Sequence, residues 1–187
     1  MVERAEWKDM VEPKTFIRYK GVWDMQDLYE AMIDWFRRNK YYFKEAVYKH
    51  KHPSPFGAER QHVWEAKRNE TDYIQIKYHV YIHIYDARDV EVQMPEGDKK
   101  IYTKGRIWIE VKVSVISDFE GRWNKKMFYA HLKDFYNKYV IRKNFTEGWG
   151  PKHRYEMYNF VAMIKQRLKM ESDEYEHRYF TGVHKVF

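Results

Sequence analysis

Tyr73-Ile-Gln-Ile-Lys-Tyr-His-Val-Tyr-Ile-His-Ile-Tyr85 alternates without interruption between two kinds of side chain. Ile74, Ile76, Tyr78, Val80, Ile82 and Ile84 fall on one side of an extended backbone, and Gln75, Lys77, His79, Tyr81 and His83 on the other. Successive side chains of a strand point to opposite faces, so this pattern predicts a strand with one buried and one wet face. Arg106–Ser117 repeats it, with Ile107, Ile109, Val111, Val113 and Val115 inward and Arg106, Trp108, Glu110 and Lys112 outward. A one-residue slip would expose every one of those apolar side chains. We therefore expect the two runs to be neighbouring antiparallel strands, joined through the polar tip Met94-Pro-Glu-Gly-Asp-Lys99.

Outward from this pair, Tyr41–His50 and Arg60–Arg68 read as two more strands around the turn-rich segment His52-Pro-Ser-Pro-Phe-Gly57. Thr15–Lys20 reads as a short strand leading through Gly21 into a helix. Asp24 is the predicted N-cap, Leu28, Ala31, Met32, Trp35 and Phe36 form an apolar stripe at helical spacing, and the helix ends near Asn39. Two helices are expected after the sheet. The first starts at Asn124 and runs to about Lys143, with Phe128, Leu132, Phe135 and Tyr139 on its apolar face. Gly148-Trp-Gly-Pro151 should break it before a last helix over His153–Met170, with Met157, Phe160, Val161, Ile164 and Leu168 at the same spacing. Trp35, Phe36, Phe128, Phe135, Phe160 and Ile164 should all be buried against one sheet. The fold class is α+β: a curved, mostly antiparallel sheet of about five strands with one N-terminal and two C-terminal helices. Residues 1–187 read as a single domain, with 1–13 and 172–187 as flexible or docked tails.

The element order resembles the helix-grip arrangement of START and polyketide-cyclase-type proteins, which implies an apolar cavity between a bent sheet and the C-terminal helix. Tyr19-Lys-Gly-Val-Trp-Asp24 with Leu28-Tyr29, followed later by Asp118-Phe-Glu-Gly-Arg-Trp123, is similar to a group of uncharacterised archaeal proteins. That likeness brings no activity with it.

The chain contains no cysteine, which excludes disulfides, thiol catalysis and thiolate zinc sites and fits a reducing, cytoplasmic compartment. Met1–Lys14 carries alternating charge with no apolar run, so no signal peptide is expected, and nothing approaches the length of a transmembrane segment. Aromatic residues reach 19%, an excess that suits cores with wet edges and recognition surfaces. The net charge of +7 sits wholly in the second half: residues 1–100 hold 18 basic and 18 acidic residues, residues 101–187 hold 17 and 10. Arg122–Arg154 holds nine basic residues against Asp134 and Glu147, a balance that attracts phosphate-rich partners or anionic lipid.

No GxGxxG, GxxxxGK[ST], GxSxG or HExxH motif occurs, and no cofactor is expected. His50, His52 and His62 would converge if the 53–58 loop turned tightly, and imidazoles suit zinc, nickel or copper; Lys49 and Lys51 beside them repel a cation. His79 and His83 lie too far apart along their strand to share a metal, and with Tyr81 and Tyr85 they make an aromatic, polar face. Glu65, Asp86 and Glu110 share the sheet's polar side, but no spacing pairs two of them. Lys125, Lys126, Tyr129, Lys133, Tyr136 and Lys143 lie on one arc of the helix after Asn124, where ammonium groups can neutralise phosphates and rings can stack on unpaired bases. The expected function is non-enzymatic binding of RNA, DNA or a ribonucleoprotein through that arc, with an anionic membrane surface as a lesser partner. The alternatives are a small-molecule binding domain with a cavity under the last helix, and a protein-assembly subunit.

Overall fold

A computed structural model describes residues 8–11, 14–54, 57–93, 99–125 and 127–170. The strands are β1 (Lys8–Val11), β2 (Thr15–Trp23), β3 (Tyr42–Ser54), β4 (Gly57–Asn69), β5 (Ile74–Gln93) and β6 (Lys99–Ser117). The helices are α1 (Met25–Arg38), α2 (Met127–Phe135) and α3 (Gly150–Arg167), with a 3-10 turn over Arg122–Lys125. The six strands form one antiparallel sheet in the order β1-β6-β5-β4-β3, and β2 also pairs with β6. β1 pairs with Ser114–Ile116 and β2 with Thr103–Val111, so the two lie end to end along one side of β6 and the sheet is five positions wide. The N-terminal segment 1–13, expected as a tail, thus contributes a docked edge strand at Lys8–Val11.

The two alternating runs pair as their patterns require: Val80 faces Val111 and Ile82 faces Ile109. All the isoleucines and valines assigned inward are buried. Both strands outrun the sequence estimate, because Val90–Gln93 and Lys99–Tyr102 prolong the ladder beyond a bulge between Tyr85 and Arg88. The tip over 94–98 and the tail over 172–187 lie outside the described residues.

α1 starts as expected: the Asp24 side chain accepts the Asp27 backbone N–H at 3.0 Å, and Asn39 caps the end. Leu28, Met32 and Phe36 are buried and Trp35 packs beside them. α3 buries Met157, Phe160, Val161 and Ile164 against the same layer. Between the sheet and the last helix rings meet: Trp35, Phe36, Tyr41 and Tyr78 surround Phe160 or one another at centroid separations of 4.7–6.2 Å. A polar bolt crosses this layer. Arg68 donates twice to Glu156 (2.9 and 3.1 Å), Tyr41 donates to the same carboxylate at 3.1 Å, and His153 Nδ1 lies 2.9 Å from it. Burial, with the facing charges, pushes both the Tyr41 and Tyr78 hydroxyls well above the ordinary tyrosine range.

Two expectations fail at the C-terminal end. Gly148-Trp-Gly-Pro151 does not break the chain, because wide π-helical turns over Tyr136–Ile141 and Asn144–Trp149 carry the backbone from α2 into α3. Pro151 directly follows the wide turn over Asn144–Trp149, where the regular i→i−4 ladder is already interrupted and a missing N–H costs less than in an unbroken α-helix. The second failure is the orientation of α2. Phe128, Leu132, Phe135 and Tyr139 face solvent, and Lys133 is the residue turned inward, 2% exposed and 3.4 Å from Asp118, which is also buried. Asp118 also accepts the backbone N–H groups of Arg122 (2.8 Å) and Trp123 (3.3 Å). Tyr136 stacks on Trp123 at 5.7 Å, and Asn137 joins the Tyr73 hydroxyl to Ser117. A charge and an amide, satisfied at the sheet's end, outweigh the four apolar side chains on the other side of the helix.

Candidate binding face on the open side of the sheet

The helices pack on the face that carries Ile17, Trp64, Tyr78, Ile109 and Val111. Among the described residues no helix covers the opposite face. Period two puts Phe16, Arg18 and Lys20 of β2 on it, beside Arg106, Trp108 and Glu110 of β6 and Tyr81, His83 and Tyr85 of β5. In register, Arg18 faces Trp108, Trp108 faces His83, and His83 faces Gln61. One row towards β1, Phe16, Glu110, Tyr81 and Val63 follow one another; one row the other way, Lys20, Arg106 and Tyr85 do.

These side chains touch. The Phe16 and Tyr81 rings each lie 6.2 Å from Trp108, the Tyr81 ring edge-on. The His83 and Tyr85 rings lie 3.7 Å apart, tilted by 32°. The Arg18 guanidinium sits 5.7 Å from the Trp108 ring and that of Arg106 5.6 Å from Tyr85. His83 is fixed from both sides, with Nε2 2.5 Å from Glu59 and Nδ1 3.2 Å from the Tyr81 hydroxyl. The hydrogen bond from His83 holds the Glu59 carboxyl below the usual glutamate range, and burial pushes the Tyr81 hydroxyl up.

At the bulge the face deepens into an open pocket of about 610 Å³ lined by Lys20, Gly21, Asp86, Arg88, Lys104, Gly105 and Arg106. Asp86 makes the bend with a positive φ of 54°, a conformation aspartate tolerates better than most residues. Gly105 permits it, since a Cβ there would stand 2.8 Å from the Tyr85 carbonyl oxygen. The carboxylates of the face are matched: Asp86 with Arg106 (2.6 Å), Glu65 with Lys77 (3.2 Å) and Glu110 with Lys14 (2.6 Å). Among the described residues, no ion pair is formed by Arg18, Lys20 or Lys104, which leaves their charge available to an anion.

The sites expected from sequence fare differently. Register separates the histidines: Tyr48, not His50, stands opposite His62, and Arg60 stands opposite His50. The pairing is irregular between Lys51 and Ser54, where the register shifts. His62 turns into the fold and binds Glu45 at 2.8 Å, while exposed His50 meets the Tyr48 hydroxyl at 3.4 Å. The His52 side chain lies outside the described residues, and no group of three metal-ligating side chains occurs among those described. Of the helical arc, Lys126 and the Lys125 side chain lie outside the described residues. Tyr129 and Lys143 are exposed, Tyr136 is half-buried on Tyr73 and Trp123, and Lys133 is withdrawn into its pair with Asp118. The arc is therefore not one continuous cationic surface.

The wet side of β5 and β6 was legible from their alternation. Phe16, Arg18 and Lys20 were missed, although the spacing within Thr15–Lys20 already placed them on one face; the missing fact was that β2 pairs with β6. No protein-family model and no curated protein matches the sequence.

Proposed function

We propose that this protein binds single-stranded nucleic acid without catalysis, and that the open face of the sheet makes the contact. The observation that carries the reading is the set of rings Phe16, Trp108, Tyr81 and Tyr85, braced by the buried His83, beside the cations Arg18, Lys20, Lys104 and Arg106. Aromatic rings offer stacking platforms to bases of any sequence, each worth about 1–3 kcal/mol, and flanking cations follow the phosphates. A sheet five positions wide suits this, because rings on adjacent strands stand at the spacing of neighbouring strands, and splayed bases can occupy them in succession. The reading keeps the partner class that the basic composition favoured and moves the contact from the α2 arc to the sheet.

The test is a titration of fluorescent single-stranded and duplex oligonucleotides of RNA and DNA at two salt concentrations. Single strands should bind more tightly than duplexes, with affinity falling as salt rises through counterion release. Trp108→Ala should weaken single-strand binding about tenfold or more. Arg18→Gln should weaken it and flatten the salt dependence. Equal binding by the parent and Trp108→Ala would remove the sheet face as the contact.

A further inference from the structure

One of the two apolar stripes in the C-terminal half lies on the outside of the protein. Phe128 is 72% exposed, Phe135 55% and Tyr139 65%, and Met127, Leu132 and Val140 are exposed with them. The surface is continuous: Phe128 meets Tyr129 at 5.8 Å, Leu132 is four residues on, and the Phe135 and Tyr139 rings lie 5.0 Å apart. Clustered apolar exposure of this kind marks an interaction surface. The helix cannot roll to hide it, because the Lys133–Asp118 pair and the Asn137 bonds hold the other side against the sheet.

The charges around the stripe select what it meets. Lys138, Arg142 and Lys143 are exposed beside it, with the Lys138 ammonium 5.4 Å from the Tyr139 ring. Asp134 is only partly exposed, and Glu147, the other carboxylate of 122–154, lies beyond the stripe's end next to Lys143. A second copy of the chain, stripe to stripe, would bring Lys138, Arg142 and Lys143 against the same three cations. A nucleic-acid backbone would satisfy the cations and leave phenylalanine, leucine and methionine in water. An anionic bilayer satisfies both: the rings and aliphatic groups enter the acyl boundary, and lysine and arginine reach back to the headgroup phosphates.

We propose that α2 and the wide turn after it dock in the plane of an anionic lipid surface, with Phe128, Leu132, Phe135 and Tyr139 inserted and Lys138, Arg142 and Lys143 at the headgroups. The proposal rests on the α2 face alone and is independent of the nucleic-acid reading of the sheet.

The experiment is flotation of the full chain with vesicles of phosphatidylcholine alone and of phosphatidylcholine mixed with phosphatidylglycerol. The protein should float with the anionic vesicles and not with the zwitterionic ones. A Phe128→Ser/Phe135→Ser variant should lose at least about tenfold in vesicle affinity while melting with the parent, since neither ring is in the core. Lys138→Gln/Lys143→Gln should lose affinity and much of the salt dependence. In a Phe135→Trp reporter, indole emission should shift to the blue on adding anionic vesicles only. Equal flotation with both lipids, undiminished binding by the Phe128/Phe135 variant, or an unshifted reporter overturns the proposal. So does a parent dimer in light scattering that the same variant converts to monomer, because the occupant is then a second copy.

Discussion

α2 and α3 carry the same signal and answer it in opposite ways. Phe128, Leu132, Phe135 and Tyr139 repeat at helical spacing, as do Met157, Phe160, Val161 and Ile164. The α3 set is buried to the last residue, and the α2 set stands in solvent. The polar side of each helix decides the difference. α3 carries Glu156 and His153, which join Arg68 and Tyr41 at the edge of the same interface that takes Phe160, so its polar and apolar anchors agree. On α2 they disagree. Lys133 lies opposite the stripe, and the sheet's end offers it Asp118, a carboxylate already fixed by two backbone N–H groups. Spacing tells which side chains share a face of a helix; it does not tell which way that face is turned.

The comparison can be broken first at the buried stripe. Phe160→Ala removes a fully buried ring in contact with Trp35, Phe36 and Tyr78, and should cost about 3–5 kcal/mol. For a chain of this size that lowers the melting temperature by roughly 10 °C. A thermal melt within a degree or two of the parent would show that α3 is not docked by this ring.

The anchor of α2 comes next. Asp118→Ala leaves the Lys133 ammonium buried without a partner and strips the cap from the 122–125 turn, so it should cost about 3–4 kcal/mol. Lys133→Met in the same chain should recover much of that loss, because an apolar side chain needs no counter-charge. Denaturant midpoints of the two single variants and the double variant read the coupling directly. If Asp118→Ala and Lys133→Met simply add, the two residues do not act as a pair and the orientation of α2 has another cause.

How much of this was readable beforehand follows from the kind of interaction involved. β5 and β6 were read from sequence, with the faces of their residues, because period-two burial is written locally. The Asp24 cap was legible for the same reason, since donor and acceptor lie three residues apart. What sequence did not carry was long-range: the pairing of Lys8–Val11 with β6, the offset that separates His50 from His62, and the meeting of Lys133 with Asp118. The binding face divides along the same line. Its rings on β5 and β6 were visible as an outward set, whereas Arg18 and Phe16 joined them only once β2 was known to lie beside β6.

The α3 anchor gives a smaller effect with a pH signature. Burial pushes the Glu156 carboxyl up, but the hydrogen bonds from His153 and Arg68 and the Arg68 charge prevail, and it is held below the ordinary glutamate value of 4.5. A carboxylate with a depressed folded pKa stabilises the fold fully above its unfolded value, and that stabilisation drains away as pH falls through the folded one. Glu156→Gln should therefore cost about 2–3 kcal/mol near neutral pH, with Arg68 left short of its partner, and progressively less below about pH 4.5. Parallel stability curves for parent and variant from pH 7 to pH 3 would refute this role.

The smallest expected effect discriminates most sharply between the two stripes. Phe135 would be a core residue by its spacing, and Phe135→Ala would then cost as much as Phe160→Ala. Its ring instead contacts Tyr139 on the outside of the protein, and truncation there leaves the buried core untouched. Phe135→Ala should change stability by no more than about 0.5 kcal/mol, the range of surface substitutions. The measurement is the same thermal melt applied to Phe160→Ala, so each variant serves as the control for the other. A large loss at Phe135 would mean that the stripe is covered in solution, either by a second copy or by a segment outside the described residues. Concentration dependence of the melt separates these, because only association with another chain makes the midpoint rise with protein concentration.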